Sequence, residues 1–136
     1  MGKQIIEKSI AINASPKSVW RVFTEPEITR QMGGEYVSDW KVGSDFGWKG
    51  PDGTMYTHGK ILQVDPGKLL QHELFDGKDK KTLLSVITYR FEEDGDKTVI
   101  NAAEELNYTM PEQDLEGAKE GWDYALQAVK GLAEKL

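Results

Sequence analysis

The apolar residues of the last part of the chain recur at steps of three and four, from Leu115 to Leu136. This spacing places them on one stripe of an α-helix. Thr109 and Glu112 have the spacing of a capping box, and Pro111 falls where a first helical turn accepts a proline. The pattern predicts one long amphipathic helix between Thr109 and Leu136, whose stripe needs an apolar surface to cover.

The N-terminal part of the chain predicts one strand and two short helices. Isoleucines alternate imperfectly with polar residues between Gln4 and Ile12, which is typical of a strand. Ser15-Pro16 then provides an N-cap and a proline for the first turn of a helix. Thr24 and Glu27 repeat the capping-box spacing for a second helix, which Gly33-Gly34 ends.

From Glu35 to the final helix the pattern changes to short strands separated by turn residues. These turns delimit six strands, near 36–41, 45–49, 54–64, 69–75, 84–92 and 97–107. Such closely spaced strands predict an antiparallel meander. The expected fold class is α+β, with a curved antiparallel sheet of about seven strands and the long C-terminal helix along its apolar face.

Strand pairing can be predicted from the turns, because partners across a tight turn keep a constant sum of residue numbers. A turn centred on Asp94-Gly95 would place Glu104 opposite Ser85 on the apolar face. A turn centred on Pro66-Gly67 would place His72 on the inner face of its hairpin. His58 would then lie on the other face, although Pro-Gly is not a preferred hairpin turn and a bulge could shift the register.

Composition narrows the class of function. The 136 residues include no cysteine, which excludes disulfides, thiolate nucleophiles and cysteine-ligated metals and favours a cytoplasmic location. The 23 acidic and 17 basic residues give a net charge of −6, which opposes binding to nucleic acid or anionic lipid. No apolar run approaches the roughly 18 residues of a membrane span, so we expect a soluble single domain over residues 1–136 without membrane insertion.

The sequence contains no motif for metal, nucleotide or nucleophilic chemistry, such as HExxH, a P-loop or GxSxG. We therefore expect no metal, no cofactor and no catalytic residue. His72 has two interpretations: a partly buried histidine bonded to a neighbour, or a group that orients a ligand. An inward Glu104 needs either the open rim of a cavity or a polar partner, because burying an unpaired carboxylate is costly.

Two glycines, Gly117 and Gly121, lie one turn apart inside the final helix beside Trp122. Each costs the helix about 1 kcal/mol relative to alanine. Two explanations remain open: close packing of the backbone, or room for a ligand.

Three segments of the chain carry a resemblance to a known family: residues 15–20 (SPKSVW), 38–44 (SDWKVGS) and 59–70 (GKILQVDPGKLL). They resemble the START-like superfamily called SRPBCC, and within it bacterial homologues of the activator of the ninety-kilodalton heat-shock-protein ATPase. The resemblance implies the helix-grip fold with a deep cavity. Relatives bind lipids, sterols, polyketides or hormones, some are cyclases, and some bind a chaperone. Many relatives carry tryptophans where this chain has residues 31–34 (QMGG).

The favoured hypothesis is a non-enzymatic protein that binds a small apolar or amphipathic molecule, such as a lipid, a polyketide or an aromatic metabolite. The ligand would occupy a hydrophobic cavity between the sheet and the C-terminal helix. The expected lining is Trp40, Trp48, Met55, His72, Leu74, Tyr89, Glu104, Trp122 and Leu126. One alternative is a stress-related cochaperone with a chaperone as its partner. Another is a polyketide cyclase-like enzyme in which His72 and Glu104 supply the acid–base groups.

Overall fold

The structure is a computed structural model that describes residues 4–136. The strands are β1 (Ile5–Ile12), β2 (Glu35–Ser38), β3 (Asp45–Lys49), β4 (His58–Asp65), β5 (Leu69–Phe75), β6 (Leu83–Asp94) and β7 (Lys97–Leu106). The helices are α1 (Pro16–Thr24), α2 (Pro26–Thr29), a 3-10 turn (Arg30–Met32) and α3 (Glu112–Ala133).

The seven strands form one sheet in the order β1-β7-β6-β5-β4-β3-β2, and every neighbouring pair is antiparallel. Strands β2 to β7 are therefore a meander, and β1 closes the other edge against β7. The apolar face of this curved sheet is covered by α1 and α3, which confirms the α+β class and the helix-grip arrangement.

The predicted register between β6 and β7 is wrong by two residues. Glu104 pairs with Ile87, and Ser85 pairs with Leu106. The turn consists of Gly95 and Asp96, with Gly95 in the left-handed region at φ 62°, so its centre lies one residue later than predicted. Because side chains alternate with a period of two, a shift of two residues leaves Ser85 and Glu104 on the predicted face.

The predicted register between β4 and β5 is confirmed for the pair of Ile61 with His72. Near the turn Asp65 pairs with Leu69, so the loop has one residue more than predicted. An irregularity between Ile61 and Gln63 compensates for that extra residue, which is the bulge that an unfavourable Pro-Gly turn suggested.

Helix α1 is capped as predicted, since the Ser15 hydroxyl accepts a hydrogen bond from the Ser18 amide at 3.2 Å. The capping box at Thr24 is wrong. Its hydroxyl instead donates to the Trp20 carbonyl at 3.1 Å, inside α1, and Glu25 is the N-cap of α2 without a side-chain cap. The Thr24 side chain therefore belongs to the end of α1 and not to the start of α2.

Helix α3 starts at Glu112, with Pro111 as its N-cap and no side-chain cap, so the capping box at Thr109 is also wrong. The Met110 amide donates to Gln4 Oε1 at 2.6 Å, and Gln4 Nε2 donates to the Met110 carbonyl at 3.1 Å. These two bonds tie the segment before α3 to the start of β1, outside the helix.

The apolar stripe of α3 is buried unevenly. Its second half contributes Leu126, Val129 and Ala133 to the core, where they are almost inaccessible to solvent. In the first half, Leu115 and Trp122 are only half-buried. The inner face of the sheet is therefore covered tightly at one end of α3 and loosely at the other.

Candidate ligand-binding site

Beside the loosely packed first half of α3, the inner face of the sheet carries a row of three residues on adjacent strands. His72 on β5 pairs with Ile87 on β6, which pairs in turn with Glu104 on β7. His72 and Glu104 are thus two strand spacings apart, about 10 Å. At this separation the two side chains do not form a direct acid–base pair.

Glu104 is half-buried and has two partners at this end. Its Oε2 accepts from the Ser85 hydroxyl at 2.8 Å, and its Oε1 accepts from the Trp122 indole Nε1–H at 2.9 Å. Ser85 is only 1% exposed, so the carboxylate is bound to a buried donor on the sheet and a second donor on α3. The structure thus gives Glu104 the polar partners that one of its two sequence interpretations required.

His72 is buried, with only 4% of its surface exposed. Its Nδ1 lies 3.1 Å from the Glu73 carbonyl oxygen, which can only accept, so Nδ1 carries the proton. Burial lowers the pKa of His72 to about 4, against a smaller opposing effect of that hydrogen bond. The imidazole is therefore neutral at pH 7 and has an unprotonated Nε2.

Two tyrosines are connected to the histidine by ring contacts, the buried Tyr89 directly and the half-buried Tyr36 through Phe46. Burial raises the pKa of the Tyr36 and Tyr89 hydroxyls, that of Tyr89 well above its usual value. The Tyr89 ring lies 6.3 Å from the His72 ring and 5.7 Å from the Trp122 ring. Both phenols are consequently neutral hydrogen-bonding groups inside an aromatic environment.

Aromatic rings line the inner face of the sheet from α3 to the β2–β3 edge. Consecutive centroids lie 4.2–6.4 Å apart, the spacing of favourable ring pairs. The cluster consists of Trp20, Phe23, Tyr36, Trp40, Phe46, Trp48, His72, Tyr89, Phe91 and Trp122. We call it the aromatic cluster.

Four predicted lining residues lie together at the open end of the aromatic cluster: His72, Tyr89, Glu104 and Trp122. Trp40 and Trp48 lie at its other end, both in contact with Tyr36. Leu74 and Leu126 pack against the core. The sequence-based lining omitted Tyr36, because Tyr36 and Val37 on β2 are both apolar and alternation alone does not tell which of them faces inward.

Met55 does not belong with the other predicted residues. Phe46 and Trp48 point inward from β3, so Gly47 between them faces the outer side of the sheet. The Met55 methyl lies against Gly47, 2.6 Å from the place where a Cβ would stand on that glycine. A glycine on the outer face thus leaves a space that Met55 fills from outside.

The glycines of α3 lie on its exposed side. Nothing lies within 4 Å of the place where a Cβ would stand at Gly117, Gly121 or Gly131. Neither sequence-based explanation holds, because these glycines pack against no backbone and face away from the sheet.

Metal-ligating groups are scattered along the part of the chain that the structure describes. Residues 4–136 have no group of three or more His, Cys, Asp or Glu residues placed to hold a metal ion. Within the same residues, no helix has the length and apolar character needed to cross a membrane.

A curved antiparallel sheet with a long C-terminal helix over a ring-lined inner face defines the helix-grip class of the SRPBCC superfamily. Within that class the chain belongs to the family described as "Activator of Hsp90 ATPase homolog 1-like protein", whose sequence profile matches residues 13–134. No curated protein matches the chain in sequence.

Solved structures agree with this assignment. A Cytophaga hutchinsonii protein is 27% identical with a TM-score of 0.77, over 99% of this chain and 97% of that one. CalU16 from Micromonospora echinospora is 23% identical with a TM-score of 0.76, over 96% and 76%. The Aha1 dimer from Colwellia psychrerythraea is 17% identical with a TM-score of 0.78, over 96% of each chain. The last two similarities show the fold alone.

Proposed function

We propose that this protein binds a small aromatic or amphipathic molecule between the sheet and the first half of α3. The observation that supports this most is the bonding of Glu104 to Ser85 and Trp122 at the open end of the aromatic cluster. A carboxylate with two donors beside neutral rings is the combination expected of a mostly apolar pocket with a few convergent polar groups.

Access to this position follows from the uneven burial of α3. Leu115, Ala118 and Trp122 on the apolar stripe of α3 are only half-buried, and Trp122 contacts Glu104 and Tyr89 of the sheet. A ligand that inserted beside the Trp122 ring would gain apolar contact area without disturbing the buried second half of the helix. Burial of apolar area contributes about 25 cal/mol per Å².

The polar groups define the ligand chemistry. A carboxylate has about four acceptor sites, so Glu104 retains capacity for a donor from a ligand. The neutral His72 offers an acceptor at Nε2, and Tyr89 and Trp122 offer apolar ring faces. The pocket therefore favours a ring system bearing a hydroxyl or amine, whereas the carboxylate of a fatty acid would be repelled by Glu104.

A matched ligand pair tests this chemistry. Titration calorimetry with 2-naphthol and 2-naphthoate compares a donor and an anion on the same ring system, and native mass spectrometry extends the test to hydroxylated polyketides and fatty acids. We expect 2-naphthol to bind more tightly, and Glu104→Gln to reduce that preference. Tyr124→Phe, on the exposed side of α3 where Tyr124 is 81% exposed, should change nothing. Absence of binding across the whole panel would contradict the proposal.

A second candidate function is an interaction with a heat-shock-protein ATPase, which the family description supports. The net charge of −6 would steer this protein towards a basic surface on such a partner. The test is the ATPase rate of the bacterial ninety-kilodalton chaperone with increasing amounts of this protein. An unchanged rate, together with no co-purification, would remove this candidate.

A further inference from the structure

A cavity lies at the other end of β6, away from Glu104. It has a volume of about 640 Å³ and is bounded by the start of α1, the β4–β5 turn and the last residues of β6. Ser85 and Phe91 are six residues apart on β6, about 20 Å along an extended strand. The cavity is therefore separate from the position proposed above for a ligand.

The floor of this cavity is aromatic. Trp20 from α1 meets Phe91 from β6 edge to face, with their ring centroids 5.6 Å apart. Pro16 and Pro66 add apolar surface on either side. Trp20 is only half-buried, so one part of its ring remains available to a flat or branched apolar group.

The rim of the cavity carries more positive than negative charge. Lys17 and Lys68 both line it and are exposed, and Glu93 is the acidic residue of its lining. Within residues 4–136, neither lysine has a carboxylate oxygen within 4.0 Å. The protein as a whole has a net charge of −6. The rim of this cavity, in contrast, is locally positive because these two ammonium groups lie beside it.

The backbone around the lysines is held in place before any ligand arrives. The Lys68 carbonyl accepts from the Phe91 amide at 2.9 Å, and the Lys68 amide donates to the Asp65 carbonyl at 2.9 Å. Gly67 adopts φ 77° and brings the turn against the start of α1, where a Cβ would stand 4.0 Å from the Pro16 carbonyl oxygen. Because this backbone is already ordered, less conformational entropy is lost when a ligand binds.

We propose that this cavity is a second ligand site, for a small organic anion whose apolar body rests on Trp20 and Phe91 and whose acidic group meets Lys17 and Lys68. Aryl carboxylates and aryl sulfonates have this chemistry. The selectivity is thus the reverse of that at Glu104, since an anion is attracted here.

Two dyes that differ by one group provide the test. The probes are 1-anilinonaphthalene-8-sulfonate and N-phenyl-1-naphthylamine, which lacks the sulfonate, and their affinities are measured by fluorescence titration. We expect the anion to bind more tightly, and the double variant Lys17→Gln/Lys68→Gln to weaken it about tenfold, the effect of two exposed ion pairs. The neutral dye should be unaffected.

The matched control is Lys78→Gln/Lys81→Gln, which removes the same charge from an exposed loop. This variant should keep the affinity for the anion. Amide resonances of Ser18, Gly67 and Lys68 should shift on titration of the wild-type protein. Equal affinity for the two dyes, or a preference for the anion that survives Lys17→Gln/Lys68→Gln, would overturn the proposal. Loss of binding in Glu104→Gln would overturn it too, because it would place the dye at the other site.

Discussion

The two halves of α3 have the same apolar periodicity but meet different surfaces. The second half lies against β1 and α1, where Leu126, Val129 and Ala133 are buried. It is also tied to β1, because the Lys130 ammonium donates to the Ala11 carbonyl at 3.3 Å. This half closes the core.

The first half of α3 faces polar residues of the sheet instead. Trp122 reaches Glu104 on β7, which is bonded in turn to Ser85 on β6. Leu115 and Trp122 stay half-buried there. An apolar stripe thus determines which side of a helix faces the core, whereas the opposing residues determine how deeply that side is buried.

The largest expected effect is a difference in protein stability between alanine variants in the two halves of α3. Leu126→Ala should lower the free energy of unfolding by about 2–5 kcal/mol, because it leaves a cavity in a close-packed core. Leu115→Ala removes the same atoms from a half-buried position and should cost about 1 kcal/mol or less. Urea unfolding measures both. Equal losses would contradict the difference between the halves.

The buried histidine predicts a dependence of stability on pH. Its folded pKa of about 4 lies below the ordinary value of 6.5, so its contribution is fully present above pH 6.5 and is lost as the pH falls towards 4. The loss should reach about 3 kcal/mol, at 1.4 kcal/mol per pH unit. We expect His72→Gln to remove this loss from unfolding curves measured between pH 7 and pH 4.

The control for the pH experiment is His58→Gln on the outer face of the sheet, which should retain the wild-type loss of stability. If wild-type and His72→Gln proteins lost stability in parallel over this interval, the neutral buried state of His72 would be refuted.

A smaller effect tests the polar group under the first half of α3. Ser85→Ala removes a buried hydroxyl that donates to Glu104, and hydrogen bonds to charged groups contribute about 1.5–3 kcal/mol. Part of that should be lost in the variant, whereas Ser9→Ala at an exposed position should change stability by less than about 0.5 kcal/mol. Denaturant unfolding distinguishes them, and equal results would mean that the Ser85 bond is not formed.

The smallest effect concerns the exposed side of α3. Gly117→Ala and Gly121→Ala should each raise the free energy of unfolding by about 1 kcal/mol, because alanine favours the helix and meets open space. Ligand affinity should not change. Gly59→Ala is the contrasting variant, since its Cβ would lie 1.9 Å from the Glu73 carbonyl oxygen, and it should be destabilising. A destabilised Gly121→Ala would contradict the exposed position.

The sequence was sufficient to predict the order of elements and the faces of the strands. Alternation decides the face, so a turn placed one residue off at Gly95 changed the partner of Glu104 but not its direction. The caps were predicted less well. Ser15 directly precedes its helix and caps it. Thr24 instead lies in the last turn of α1, and Thr109 lies two residues before the N-cap of α3, which residue spacing alone does not reveal.

Only the site residues that lie on strands could be placed from the sequence. His72, Tyr89 and Glu104 lie on long paired strands, where periodicity fixes direction. Met55 lies between β3 and β4, and the path of such a segment depends on the space that Gly47 leaves on the outer face. The cavity at Trp20 and Phe91 lies between the start of α1 and a turn that is distant in sequence, an arrangement that no local pattern predicts.

The most direct test of ligand binding under the first half of α3 is the indole N–H resonance of Trp122 during titration with 2-naphthol. Trp122→Phe assigns that resonance among the four tryptophans. Because this N–H donates to Glu104, a ligand between them should shift it while the Trp20 resonance stays in place. A static Trp122 resonance at saturating ligand, or a shift of Trp20 alone, would contradict ligand binding at this position.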